Sequence, residues 1–196
     1  MGFQLYPFAV PLDQVQQTVG SRKRALLNRM KERYASDFES VDQHLADADE
    51  PQPKLEEVVR HLLAGKPLDP AWGVQFGVAL DMLCRLHGTE LPCREFGSPA
   101  WLDRVDQAIQ AAGVPAALFG LKRLIVNRGS PIPFPGEIPM CVGYLTADEV
   151  RQAAVAFQAA DYSRLKEDVR RSVAEVRSWL AYCDTLSWGL VGFYHH

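Results

Sequence analysis

The chain has 196 residues, 47% of them hydrophobic and 23% charged, with a formal net charge of −3. A chain of this size buries a core without disulfide or metal staples, and the balance is that of a globular protein. The mild acidity argues against nucleic acid as a bulk electrostatic partner, and no apolar run of about 18 residues is present to span a membrane.

Residues 3–10 are aromatic and apolar and end at Pro11, which predicts a strand. Prolines break this opening apolar run and no basic region precedes it, so it does not read as a signal peptide, and the expected compartment is the cytoplasm. Residues 11–19 predict one or two helical turns closed by Gly20. Ser21 then reads as the N-cap of a helix to about Tyr34, with Leu26, Leu27, Met30 and Tyr34 on one side. Residues 37–52 are acidic and weakly periodic, a loop or an exposed helix. Residues 53–64 place Leu55, Val58, Val59, Leu62 and Leu63 on one stripe of a helix.

Residues 70–87 are apolar almost all round, with Gln75, Asp81 and Arg85 as the polar surface, and predict a buried central helix. Ser98 and Pro99 cap a helix to about Ala112, with Leu102, Val105 and Ile109 facing the core. Residues 118–126 fit a helix or a strand. Thr146 and Glu149 form a capping box, and Leu145 and Val150 take the staple positions of a helix to about Ala160. A longer helix is expected over 163–183, and a last strand over 188–196, where His195 and His196 read as an exposed tail. The expected fold is α+β and mostly helical. A small sheet pairs the N- and C-terminal strands, with about six helices packed around it, in one globular domain over residues 1–196.

Four of the thirteen prolines fall in residues 130–139. Pro131, Pro133 and Pro135 alternate with Ile132 and Phe134. In an extended chain this puts the missing donors on one side. The pattern predicts a one-sided edge strand with Ile132 and Phe134 buried.

No catalytic motif emerges. There is no Gly-x-Ser-x-Gly elbow, and no Walker loop or Gly-x-Gly-x-x-Gly. The four cysteines are scattered, which suits buried thiols in a reducing compartment. Cys84 and His87 share a helix face and Cys93 follows, but a structural zinc wants four ligands in two close pairs. Neither a metal nor another cofactor is expected.

Charge patterning is more informative. Residues 22–34 carry Arg22, Lys23, Arg24, Arg29, Lys31 and Arg33 against Glu32, a net +5. Residues 37–57 carry eight acids against Lys54, a net −7. Solvated helix faces that partly neutralise each other account for such blocks in general. As a recognition surface, Asp37, Glu39, Asp42, Asp47, Asp49 and Glu50 would meet a basic protein partner. The basic set Arg22, Lys23, Arg24, Arg29 and Arg33 would instead hold phosphate. The acidic block beside it would repel a phosphate backbone, which favours the protein partner.

The run "GYLTADEVRQAAVAFQAAD", the amphipathic helix holding Trp179 and the closing "GLVGFYH" resemble the YfbM-like group of small uncharacterised bacterial proteins over residues 143–195. The central "FGVALDMLCRLHG" and the Trp101 helix are similar to a related uncharacterised bacterial family. The resemblance implies a compact α+β fold and a bacterial cytoplasmic setting, and brings no catalytic residues. Three functions follow as expectations. The first is a non-catalytic protein-binding domain, most concretely an immunity protein that neutralises a basic toxin domain. The second is a small hydrolase-like enzyme whose site is assembled from distant residues. The third is a phosphate or nucleic-acid binder using the helix that carries Arg22 to Arg33.

Overall fold

A computed structural model describes residues 4–46, 52–93, 96, 98–135, 138 and 140–195. The fold is α+β, with a small antiparallel sheet and mostly helical chain. The described residues form eight α-helices and one π-helix, more than the six or so expected. The chain divides into two compact units, one of Met1–Leu12, Gly88–Pro131 and Met140–His196, the other of Asp13–His87 and Ile132–Pro139.

The first unit holds the sheet. Strands β1 (Gln4–Val10), β2 (Thr89–Glu90), β3 (Cys141–Leu145) and β4 (Gly189–His195) lie in the order β2-β1-β4-β3. β1 and β4 pair antiparallel along their whole length, from Gln4 opposite His195 to Val10 opposite Gly189, so the terminal strands meet as expected. His195 is therefore backbone-paired and not tail. Side chains alternate across the pleat. Leu5, Ala9, Leu190 and Tyr194 join one core with the helices of this unit. Phe8 and Phe193, on the opposite face, meet edge to face with centroids 5.8 Å apart.

Helices α6 (Pro99–Ala111), α7 (Ala147–Ala159) and α8 (Glu167–Leu186) also belong to this unit. Their caps match the sequence signals. Ser98 Oγ accepts the Trp101 N–H at 3.2 Å. Thr146 and Glu149 form both halves of a capping box, and the staple residues Leu145 and Val150 are fully buried. Thr146→Ala removes the hydroxyl that accepts the Glu149 N–H, while the Glu149 carboxylate keeps its bonds from Arg128 and the residue 146 N–H, so urea denaturation should show a loss of about 1 kcal/mol. Trp179 on α8 is 1% exposed and donates its indole N–H to the Pro92 carbonyl at 2.7 Å.

The ambiguous stretch before the prolines is a π-helix, Leu121–Val126. Asp106 on α6 holds its start, accepting the Leu121 and Lys122 N–H groups at 2.7 and 3.0 Å. Its backbone lies on the sheet over two glycines directly opposite each other, Gly143 on β3 and Gly192 on β4. The sequence pattern does not predict β3. It is five residues long with a glycine in the middle, and glycine is poor in strands unless something approaches closely.

The proline segment departs from expectation. The Phe134 N–H bonds the Ile132 carbonyl at 3.0 Å. This is a tight local turn that an extended edge strand does not make. Ile132 is buried at 2% exposure, whereas Phe134 is only half-buried and stacks on Phe76 at 4.7 Å. The outer edge of β3 is covered by its own unit. Gly129 N–H bonds the Val142 carbonyl at 2.8 Å, and Arg128 Nη1 bonds that of Tyr144 at 3.0 Å.

The second unit holds α1 (Leu12–Thr18), α2 (Arg24–Arg33), α3 (Ala35–Ala46), α4 (Leu55–Ala64) and α5 (Gly73–His87). All five stripe residues of α4 are buried. α5 is mostly buried, but its polarity is partly inverted. Gln75 is 1% exposed and donates to the Pro53 carbonyl at 3.3 Å, while Val74 is 36% exposed. α2 begins at Arg24, with Lys23 at the N-cap making no side-chain cap. Ser21 is thus not the cap, and its buried Oγ has no hydrogen-bond partner.

Candidate binding site

The charged residues singled out in sequence all belong to the second unit or lie outside the described residues. α3 carries the acids. It has no fully buried residue, and its apolar stripe of Phe38, Val41 and Leu45 is only half-buried. Those positions fall three and four apart and so share one face.

Asp37 is ion-paired to Arg85 of α5 at 2.7 Å. The same guanidinium reaches Asp81 one turn back and lies 4.7 Å over the Tyr34 ring. Burial pushes the Tyr34 phenol up, and its buried hydroxyl has no partner. Asp42 Oδ1 accepts the Leu55 N–H at 2.8 Å. Lys54, at the N-cap of α4, supplies no side-chain cap, so Asp42 satisfies one of the orphan donors of that helix from thirteen residues away. Both acids thus serve the fold. Glu39 differs: it is exposed, and it accepts a 3.3 Å bond from Gln43 one turn on. Asp47, Asp49 and Glu50 lie outside the described residues.

The basic set also divides. Arg22, Lys23 and Arg24 line a cavity of about 230 Å³ together with Arg60 and Lys66. Arg29 and Arg33 lie further along α2. Arg33 sits 5.5 Å over the Tyr34 ring, and Arg29 acts on His87. Lys31 pairs with Glu56 of α4 at 2.7 Å, and that hydrogen bond holds the Glu56 carboxyl below its ordinary range.

Arg60 and Lys66 escaped the sequence reading because a tertiary contact recruits them. Gly20 N–H bonds the Leu62 carbonyl at 3.0 Å, and Arg22 N–H that of Leu63 at 2.7 Å. The loop before α2 therefore caps the end of α4. Gly65 ends α4 with φ +66°, the left-handed conformation glycine adopts without strain. A Cβ on Gly65 would stand 3.1 Å from the Gly20 Cα.

His87 Nε2 lies 3.3 Å from Thr18 Oγ1. Burial first, then the charges of Arg29 and Lys23, hold its imidazole below the usual range. The folded chain thus favours the neutral ring, and the unfolded chain takes up the proton first. Stability should fall as pH drops below about 6.5. Thermal melts of His87→Gln should lack that part of the acid limb. Cys84 is fully buried and its thiol is pushed well up, which makes it inert. Among the described residues no group of three or more His, Cys, Asp or Glu is placed to hold a metal ion, and no helix is long and apolar enough to cross a membrane.

The first unit has a cavity of about 500 Å³ lined by Arg123, Asn127, Arg128, Glu149 and Gln152 among others. Glu149 Oε2 accepts from Arg128 at 2.7 Å and from the Thr146 N–H at 2.8 Å. Burial would raise its carboxyl, but the bonds from Arg128 and Thr146 outweigh that and hold it low. It stays ionised near neutrality and is poorly suited to proton transfer there.

Neither a curated protein nor a solved structure matches the chain. A family model described as a domain of unknown function, DUF7691, matches residues 1–195, and the chain belongs to that family.

Proposed function

We propose that the protein is a non-catalytic binding protein that takes a basic protein partner on α3, as an immunity protein takes a toxin domain. The observation that carries this is the half-buried stripe of Phe38, Val41 and Leu45 beside the exposed Glu39. An apolar strip with an acidic border is the chemistry of an interface core and its rim. Complementary charge speeds and orients encounter with a basic surface. The adjoining acids Asp47, Asp49 and Glu50 extend the acidic run in sequence. The C-terminal resemblance to the YfbM-like group belongs to the same proposal and adds no site residue.

The test is titration of the toxin-like domain encoded in the neighbouring gene. The reading expects saturable one-to-one binding and loss of toxin activity at equivalence. A toxin that stays active in excess of this protein overturns it.

A further inference from the structure

We propose that the cavity between the start of α2 and the end of α4 is a binding site for a phosphate-bearing anion, with preference for two linked phosphates over one. This stands independently of the partner on α3. The cavity of about 230 Å³ is lined by Arg22, Lys23, Arg24, Arg60 and Lys66. Three of these come from the loop and first turn of α2, two from the end of α4 and the residue after its C-cap. The two backbone bonds from Gly20 and Arg22 to α4 bring the groups together.

None of the five has an ion pair among the described residues. Glu56 lies within Coulomb reach of Arg60, but its hydrogen bond goes to Lys31. Like charges gathered without counter-ions repel and oppose folding. A bound anion offsets that repulsion and makes charge-assisted hydrogen bonds, for which arginine forks match phosphate geometry. One phosphate group carries about −1.5 to −2 at neutral pH, so it leaves much of the five positive charges unmet. A pyrophosphate group meets more of them. The apolar walls, Leu27 and Leu63, suit an uncharged remainder attached to the phosphates. The shared chemistry is the phosphate group, whether it comes from a soluble phosphoester or a lipid headgroup.

The experiment uses the full chain with inorganic phosphate, pyrophosphate and ionic-strength-matched KCl, read by thermal shift and calorimetry. Pyrophosphate should raise the melting temperature above the KCl control and bind more tightly than phosphate. Lys66→Glu and Arg24→Glu should each weaken it about tenfold or more. Both should melt, without anion, at the wild-type temperature or above, because each relieves repulsion. The site is overturned if neither anion shifts melting beyond KCl, or if the shifts are unchanged in both variants. Phosphate binding as tightly as pyrophosphate overturns the preference for linked phosphates. Two further arms separate the sources. Vesicles containing a phosphoinositide compete with pyrophosphate if the phosphates come from a headgroup and do not if they come from a soluble ester. A DNA duplex that binds with a steep salt dependence, while pyrophosphate shows no saturable binding, overturns a discrete site in favour of a general polyanion surface.

Discussion

Gly143→Ala should be among the most damaging single-methyl changes in the protein. An added Cβ would stand 2.8 Å from the carbonyl carbons of Leu124 and Ile125, with the Leu124 oxygen nearer still. All three are backbone atoms of the π-helix, so no rotamer change relieves the contact. The π-helix cannot simply lift away either. Asp106 holds its first two N–H groups, and Leu121, Ile125 and Val126 are in the core. Overpacking a core costs about 1–3 kcal/mol, and this site belongs at the upper end. At about 3 kcal/mol the melting temperature should fall by roughly 6–12 °C for a chain of this size. Gly120→Ala is the control, because its φ of −169° suits any residue and a Cβ there makes only ordinary contacts, the nearest at 3.7 Å. Equal melting temperatures for Gly143→Ala and wild type would mean the π-helix does not lie on the sheet as described.

The second large effect concerns binding. Val41→Arg puts a charge in the middle of the half-buried stripe of α3. If that stripe is the centre of the partner interface, the complex should weaken by about 30-fold or more, the scale of a hot-spot residue. Glu39→Lys, on the border, should weaken it by about tenfold and reduce its salt dependence. The neighbouring acids should behave differently. Asp37→Lys breaks the pair with Arg85, and Asp42→Lys exposes the Leu55 N–H. Each should lower stability by about 1–3 kcal/mol in the free protein. Calorimetry with the partner, alongside melts of each variant, separates the two groups. If Asp37 and Asp42 variants lost affinity with unchanged stability, the division of labour along α3 would be wrong.

What the sequence revealed were features set by neighbours in the chain. The caps at Ser98 and Thr146 need only the three residues that follow. The α4 stripe needs only helical spacing, and the apolar ends of the chain marked the paired β1 and β4. What it concealed depended on contacts between distant residues. Gly143 and Gly192 look like defects in strands until the π-helix is laid over them. Gln75 reads as surface until the Pro53 carbonyl is beside it. Asp42 reads as one more acid in a solvated run, and only the fold shows it capping another helix. Arg60 and Lys66 join Arg22, Lys23 and Arg24 because Gly20 and Gly65 allow two backbones to touch. In the proline segment the alternation suggests extension, whereas the bond from Phe134 to Ile132 makes a turn.

The most direct measurement of the central claim is amide hydrogen exchange on the full chain, alone and in the presence of the basic protein partner that the proposal calls for. Partner binding on α3 predicts new protection across residues 38–45, with little change in the strands of the first unit. Protection confined to other segments, with the exchange of α3 unaltered at saturating partner, would contradict it.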